Sequence, residues 1–225
     1  MLNWAVRYFP ILRVLRRQAA GAGTILEVGS GSFGLAHFYG GQVVGCDVSF
    51  PQPPKDNMLP VRCSGTALPF ADSSFDAVVA SDVLEHVPPA LRRQVINEAL
   101  RVTRKLAVFA FPSGGDAHAA DERFLDFHRK HSIPPPPWLQ EHMQYPFPEK
   151  DLFQGFVGGW TVKSYGNEHL RFHDWVNHGE VSRYWGAVFR ACLRFAPRLL
   201  EAALRLTDRA PFYRMMVVVT RRTME

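Results

Sequence analysis

The sequence predicts an α/β fold with a seven-stranded, mostly parallel sheet, an antiparallel last strand, helices on both faces, and a helical and loop cap. Three observations predict it. Apolar runs alternate with amphipathic helical segments, which is typical of parallel sheets. The runs are apolar throughout, as in strands buried on both faces. The 225 residues suffice for one domain with a full core and are too few for two plus a linker, so residues 1–225 are expected to form one domain.

A first helix is predicted over residues 4–20, where apolar residues recur at helical spacing between arginines and glycines follow. Pro10 would kink this helix or mark its start. A second helix is predicted over residues 90–103, with one apolar face. Five apolar runs are predicted as strands, and they cover residues 24–28, 42–47, 61–63, 75–80 and 106–111.

Residues 113–159 interrupt this alternation. They contain four histidines and the proline run 134–137, and such a run favours a stiff extended segment. After them, the sequence predicts a strand over residues 160–165 and a helix over 180–208 that restarts at Pro197, since proline suits a first helical position. A final strand is predicted over residues 212–221. Residues 113–159 and 167–209 are expected to form the cap.

Composition excludes several classes of protein. The formal net charge is +5, but no Lys/Arg run exceeds two residues, so no nucleic-acid partner is expected. Arginines interrupt the apolar N-terminal segment, and no stretch of about 18 uncharged apolar residues occurs, so we expect a cytoplasmic protein. The three cysteines show no CxxC spacing, which predicts neither a disulfide nor a zinc site.

The most informative motif is a glycine-rich loop directly after the first predicted strand, residues 26–34, read Leu-Glu-Val-Gly-Ser-Gly-Ser-Phe-Gly. Glycines let the backbone approach a ligand closely. About twenty residues later a second strand ends in Asp47, which is placed to accept hydrogen bonds from ribose hydroxyls. Glu27 would repel a pyrophosphate and suits a cationic amino group. A nucleoside ligand that carries such a group is the natural inference.

Four blocks occur in order: residues 27–31, 44–48, 65–79 and 82–88. On these blocks the chain resembles class I S-adenosylmethionine-dependent methyltransferases, in the group that includes methyltransferase type 11 and the ubiquinone-biosynthesis-like enzymes. The resemblance spans residues 24–112. It implies a Rossmann-like cofactor-binding core over these residues, S-adenosyl-L-methionine as cofactor, and methyl transfer as the reaction.

The resemblance also implies which residues bind the cofactor. They are Glu27, Gly29, Ser30, Gly31, Asp47, Val48, Ser64, Gly65, Thr66 and Asp82. Glu27 would orient the amino group, the loop backbone would pack on the cofactor, and Asp47 would hold the ribose. Val48, Gly65 and Thr66 would meet the adenine, and Asp82 would line the methionine pocket. Ser64 replaces the family's usual adenine-binding acid, which predicts a bond weaker by about 1 kcal/mol. The third glycine of the loop is also displaced, to Gly34.

Two histidines are candidate catalytic bases. His86 follows the fourth predicted strand, and His118 follows the strand that ends at Phe111, at the same sheet edge. A base is needed only when the acceptor is a hydroxyl or another weak acid. The alternatives, which we favour, are a structural turn at His86 and a solvated loop at His118. Among the remaining histidines only His169 and His173 have i, i+4 spacing, without an HExxH pattern, so no metal site is expected.

Two surfaces have alternative interpretations. The aromatic residues of residues 138–160 form either a lid over the acceptor or a small satellite core. Six arginines recur at helical spacing, and they form either a solvated face or a surface for anionic lipid or an acidic substrate. They are Arg183, Arg190, Arg194, Arg198, Arg205 and Arg209.

The predicted function is methyl transfer from S-adenosylmethionine to a small or medium-sized acceptor, at oxygen. The alternatives are a non-catalytic relative that binds S-adenosylmethionine, and a membrane-associated methyltransferase for a lipid-linked or cell-surface glycan precursor. An oxidoreductase would share the fold, but Glu27 argues against it. Peripheral contact with an anionic membrane is allowed, and the oligomeric state is left open.

Overall fold

The computed structural model describes residues 2–18, 23–155 and 159–222, apart from the side chain of Arg183. The helices are α1 (Leu2–Gln18), α2 (Pro89–Val102), α3 (Gly114–Lys130), α4 (Pro137–His142), α5 (Leu170–Val181), α6 (Arg183–Phe195) and α7 (Pro197–Arg205). The strands are β1 (Ile25–Val28), β2 (Val43–Asp47), β3 (Met58–Arg62), β4 (Phe75–Ser81), β5 (Thr103–Pro112), β6 (Trp160–His169) and β7 (Phe212–Arg221). Short 3-10 turns cover Leu35–His37, Leu84–His86 and Lys150–Phe153.

The strands form one sheet in the order β3-β2-β1-β4-β5-β7-β6. The pairs from β3 to β5 are parallel, whereas β7 runs antiparallel to both β5 and β6. This confirms the predicted fold class. The strand order reverses between β1 and β4, and ligands of open α/β sheets bind at the carboxyl ends of the strands at such a point.

Two hydrophobic clusters cover the two faces of the sheet. One contains the apolar side of α1 together with residues of α5, α6 and α7. The other contains the apolar side of α2 and Phe153. All seven residues of β4 are buried between them, which explains why its run lacks alternation. Burying one large aliphatic side chain contributes about 1.5–3 kcal/mol to the stability of the folded state. The two clusters therefore hold the sheet in place, and with it the edge at which the site lies.

Helix α3 is the main element that the sequence prediction missed. Residues 113–159 were expected to interrupt the alternation, with no helix assigned within them, but residues 114–130 form a 17-residue helix whose buried positions include Ala117, Ala120 and Phe124. These positions are three and four residues apart, as on one helix face. Two glycines and two histidines obscured the pattern. The predicted helix over 180–208 is also divided. Its first two residues end α5, and α6 begins after Ser182. Pro197 begins α7, as predicted.

Smaller differences concern the proline-rich and N-terminal segments. Pro134 to Pro136 lie outside the helices, as expected, but Pro137 begins α4. Helix α1 contains Pro10 as a buried interior residue. Residues 19 and 20 of the predicted first helix lie outside the described residues.

The prediction of no disulfide was wrong. Cys46 and Cys63 are bonded, with their Cα atoms 6.0 Å apart. Strands β2 and β3 pair in parallel, with Asp47 opposite Arg62, and this pairing brings the two cysteines together. A 17-residue separation does not reveal such pairing in a sequence. Cys192 is free and exposed.

No helix within the described ranges is long and apolar enough to cross a bilayer.

Candidate functional site

A cavity of about 380 Å³ lies at the carboxyl ends of β1, β2 and β4. Seven of the ten residues predicted to bind a cofactor line it: Gly29, Asp47, Val48, Ser64, Gly65, Thr66 and Asp82. His86 and Glu141 also line it. Glu27, Ser30 and Gly31 are not among its lining residues. The structure therefore brings most of the predicted site to one place.

The glycine-rich loop needs glycine at its first position. Gly29 has φ +73°, and a Cβ there would lie 2.3 Å from Val83 Cγ2. Its N–H donates to the carbonyl of Cys46 at 2.7 Å. The next glycine, Gly31, donates its N–H to Asp47 Oδ2 at 2.7 Å. The loop after β1 is thus tied to the end of β2, and Asp47 is held at the cavity wall.

Glu27 lies beneath this loop and is fully buried. Its two carboxylate oxygens accept hydrogen bonds from the Leu35 N–H at 2.6 Å and from the Tyr8 hydroxyl at 2.9 Å. Burial raises the pKa of Glu27 to about 7. A Cβ at Gly34, where φ is +39°, would lie 2.0 Å from Glu27 Oε2. The displaced third glycine therefore makes room for this carboxylate.

The opposite wall is built by the segment after β3. The Ser64 and Thr66 hydroxyl oxygens lie 2.8 Å apart, and the Thr66 N–H donates to Ser64 Oγ at 3.2 Å. The serine that replaces the family's usual acid thus takes part in a local turn at the cavity. The disulfide between Cys46 and Cys63 lies in the same wall.

Asp82 joins three distant parts of the chain. It follows β4 with φ +52°. Arg214 of β7 donates to its two oxygens at 3.0 and 2.7 Å, and Arg7 of α1 contacts Oδ2 at 2.7 Å. Although burial opposes it, the charges of Arg214 and Arg7 hold the pKa of Asp82 well below its usual range. The sequence prediction identified Asp82 but missed both arginines, because nothing in their spacing links them to it.

The two candidate bases have different positions. His86 lines the cavity, and its Nδ1 lies 2.9 Å from Glu141 Oε2. Burial and the nearby His142 lower the pKa of His86, so it is neutral at neutral pH and able to accept a proton. His118 lies on α3, with Nδ1 3.4 Å from Glu122 Oε1 and its ring against Phe147. It does not line the cavity.

The aromatic residues of the insertion divide between packing roles. Phe147 is buried with Ala117 and Tyr213, and Phe153 belongs to the main core. Trp138 packs against a small cluster around Phe124. Phe156 lies outside the described residues. The satellite-core interpretation therefore accounts for Trp138 and Phe147, whereas Phe153 and Trp160 pack in the main core. Glu141 of α4 reaches the cavity.

A second, larger groove of about 720 Å³ lies between α1 and the pair α6–α7. Four arginines line it, namely Arg16, Arg190, Arg194 and Arg198. Three of the six predicted arginines thus share one surface. Glu201 lies in the same groove and pairs with Arg16 at 3.5 Å.

Comparisons with known proteins match the region that builds the cavity. Residues 26–111 match the model of a family described as a methyltransferase domain. An uncharacterised methyltransferase of Mycobacterium sp. (strain KMS) is 42% identical over 113 residues, which cover 42% of this chain and 43% of the relative. An uncharacterised methyltransferase of Mycobacterium marinum is 36% identical over 117 residues, which cover 44% of this chain and 45% of the relative. The matches span less than half the length of these curated relatives.

Solved structures resemble the chain over most of its length. A chain of the Haloferax volcanii complex with the Trm112 methyltransferase activator aligns with a TM-score of 0.54 at 14% identity, covering 97% of this chain and 91% of that one. A second structure is phosphoethanolamine N-methyltransferase 2 of Haemonchus contortus, solved with phosphomonomethylethanolamine and S-adenosylhomocysteine. It aligns with a TM-score of 0.51 at 14% identity, covering 95% of this chain and 52% of that one. At these identities, the likeness shows the shared fold.

Proposed function

We propose that this chain, whose residues 26–111 belong to the methyltransferase-domain family, binds S-adenosylmethionine and transfers its methyl group to a small-molecule acceptor. One observation carries the proposal. The glycine-rich loop, Asp47, the Ser64–Thr66 turn and Asp82 line a single cavity at the switch point of the sheet. The family match identifies what such a cavity binds.

The cavity fits the parts of this cofactor. Asp47 offers carboxylate oxygens where a ribose needs hydrogen-bond acceptors. Val48 is 63% exposed although it is apolar, and it offers an uncovered face to a flat base. Gly29 leaves no Cβ between the loop and the ligand. Glu27 supports this wall from behind, because both its oxygens already accept hydrogen bonds from Leu35 and Tyr8.

The cofactor supplies a sulfonium whose methyl group is open to in-line displacement. The protein has to align the acceptor and exclude water. We propose an oxygen acceptor, because His86 is a neutral imidazole at the cavity wall. It would accept the hydroxyl proton as the methyl group is transferred. His118 lies away from the cavity and has no part in this step.

The acceptor is to be identified with labelled cofactor and a cell extract. The expected result is one metabolite that gains a single methyl group, while S-adenosylhomocysteine forms. His86→Ala is expected to lower the rate by about 10²- to 10⁴-fold with cofactor affinity retained. His131→Ala, an exposed histidine at the end of α3, is the matched control. Cofactor binding without transfer to any metabolite would instead favour the non-catalytic alternative.

We further propose that the arginine-lined face contacts an anionic membrane, where a lipid-linked acceptor would be found. Arg190, Arg194 and Arg198 share one groove. On the same two helices, the apolar residues Phe195 and Leu199 are 79% and 74% exposed to solvent. Clustered cations beside exposed apolar side chains are typical of surfaces that bind lipid headgroups.

A further inference from the structure

Three metal-ligating side chains meet beside the cavity, namely Glu85, His86 and His142. One ligand atom of each lies within 4.8 Å of those of the other two. Glu85 Oε1 is 4.0 Å from His86 Nε2 and 3.9 Å from His142 Nε2. Glu85 and His86 belong to the turn after β4, and His142 ends α4. Two histidines and one carboxylate are a common ligand set for divalent transition metals.

The carboxyl group of Glu85 is buried beside these two histidines. Glu85 is fully buried, and neither of its oxygens has a hydrogen-bond partner on another described residue. Among those residues no lysine or arginine forms an ion pair with it; its contacts are with the two histidines. A buried, unpaired carboxylate is costly. Its position indicates that it is aimed at a ligand.

A carboxylate lies beside the far nitrogen of each imidazole, as a hydrogen-bond partner for His142 and at ion-pair distance, without hydrogen-bond geometry, for His86. His142 Nδ1 lies 2.6 Å from Asp121 Oδ2, and Asp121 also accepts a hydrogen bond from the Tyr213 hydroxyl at 2.9 Å. His86 Nδ1 lies 2.9 Å from Glu141 Oε2. In metal sites the non-ligating nitrogen of a histidine usually donates to a carboxylate, which orients the ring. Both Nε2 atoms here are thus directed toward Glu85.

We propose that Glu85, His86 and His142 bind one divalent transition-metal ion, with zinc as the test ion. Metal bonds of about 2.1 Å place tetrahedral ligand atoms about 3.4 Å apart. Glu85 therefore needs to approach each imidazole by about half an ångström, and the two imidazole nitrogens, which lie within 4.8 Å of each other, need to approach by up to about 1.4 Å. The remaining coordination position is left for water or a ligand oxygen. The expectation of no metal depended on the spacing among histidines, and a site that takes its glutamate and histidines from two distant segments escapes such a criterion.

Metal binding is measured directly, without methyl donor or acceptor. The full chain is freed of metal with a chelator, equilibrated with Zn²⁺ and desalted, and its zinc content is determined. One zinc per chain is expected, and Co²⁺ should give visible absorption bands of a low-coordinate site. Glu85→Gln and His142→Gln should lose the bound zinc, and His131→Gln should keep it. Wild-type protein that retains no more zinc than Glu85→Gln would overturn the proposal.

Thermal unfolding provides a second readout that a folding defect cannot imitate. In chelator, Glu85→Gln should unfold close to the wild-type temperature, because an amide of the same shape replaces a buried carboxyl group that has no hydrogen-bond partner on another described residue. In Zn²⁺, the wild type should shift upward by several degrees and the variant should not, because a ligand that binds only the folded form stabilises it. Equal shifts in both proteins would contradict the site.

One consequence depends on the function proposed above. An imidazole that ligates a metal through Nε2 cannot accept a proton there, so zinc should slow a transfer in which His86 is the base. Glu85→Gln should relieve that inhibition. Metal binding itself does not depend on methyl transfer, so failure of either proposal would leave the other standing.

Discussion

At the scale of single residues, Glu27 makes stability depend on pH. Burial raises its pKa from 4.5 to about 7, so between these values the folded chain binds more protons than the unfolded chain. The contribution of Glu27 to the free energy of unfolding should therefore be largest below pH 4.5 and fall as the pH rises to 7, by up to about 3 kcal/mol at 1.36 kcal/mol per pKa unit.

Urea unfolding at several pH values tests this. Glu27→Gln should flatten the profile between pH 4.5 and 7, because the amide does not titrate. Glu122→Gln, which alters a carboxylate whose side chain is 58% exposed, is the control and should leave the profile as in the wild type. A wild-type profile that rises over this interval would show that Glu27 is ionised in the folded chain.

A second prediction at the scale of single residues concerns the Ser64 hydroxyl and the affinity for the cofactor. It lies in the cavity wall, where the resemblance to methyltransferases predicts an acid, and it already interacts with Thr66. Ser64→Asp would replace a neutral acceptor by a charged one, which strengthens such a hydrogen bond by about 1 kcal/mol. S-adenosylhomocysteine should then bind about fivefold more tightly in titration calorimetry. Ser132→Asp, exposed and remote, should change nothing, and no gain in Ser64→Asp would refute the assigned role.

The site residues that the sequence could predict all lie at the carboxyl ends of parallel strands. Gly29 and Asp82 follow β1 and β4, and Asp47 ends β2. Parallel strands bring their carboxyl ends to one edge of the sheet. Strand order and motif spacing were therefore enough to place them together. Arg214 and His142 reach the same region from β7 and α4, through contacts over more than fifty residues of chain. No short-range pattern encodes those contacts.

At the scale of elements, buried charges hold α1 and β7 to the end of β4. Asp82 receives Arg214 and Arg7 within a buried environment. Asp82→Asn would leave Arg7 without the carboxylate it pairs with, and Arg214 with Glu168 as its remaining counter-charge. Breaking a buried pair in this way costs about 3–5 kcal/mol. Denaturant unfolding at pH 7 should show this loss.

The matched comparison is Arg13→Gln, which removes partly exposed contacts with Asp208 at 3.5 Å and with Glu201 at 3.7 Å and should cost less than about 1 kcal/mol for each contact. The depressed pKa of Asp82 adds a pH signature. Its contribution is complete above about pH 4, the value for an unfolded aspartate, and is lost as the pH falls below that. Equal effects of the two variants would show that the buried network adds no stability.

Elements differed in how well the sequence revealed them. The predicted final strand over 212–221 matches β7, because its valines form an unbroken apolar run between turns. Helix α3 was missed because its buried stripe includes Asp121 and His128. These polar side chains can be buried because they form hydrogen bonds with residues outside this helix. Asp121, for example, accepts a hydrogen bond from the Tyr213 hydroxyl of β7. A hydrophobic pattern alone does not predict such a helix.

At the scale of the whole molecule, the excess of positive charge is concentrated rather than spread. The formal net charge is +5, and four arginines line the groove between α1 and α6–α7. One acid of the groove, Glu201, pairs with Arg16 and with Arg205 at 3.5 and 3.4 Å. Arg190, Arg194 and Arg198 are exposed. This face is therefore the one that an anionic membrane would attract.

Sedimentation with liposomes tests that attraction. The wild type should bind vesicles rich in anionic lipid at low salt, bind neutral vesicles weakly, and dissociate as salt screens the charges. Each surface cation contributes about 1 kcal/mol, so changing Arg190, Arg194 and Arg198 together to Gln should weaken binding by about a hundredfold. Changing Arg123, Arg129 and Lys130, which belong to α3, removes the same charge elsewhere and should leave most binding intact. If both triple variants lose affinity equally, net charge rather than this face governs the attraction, and the proposed membrane contact fails.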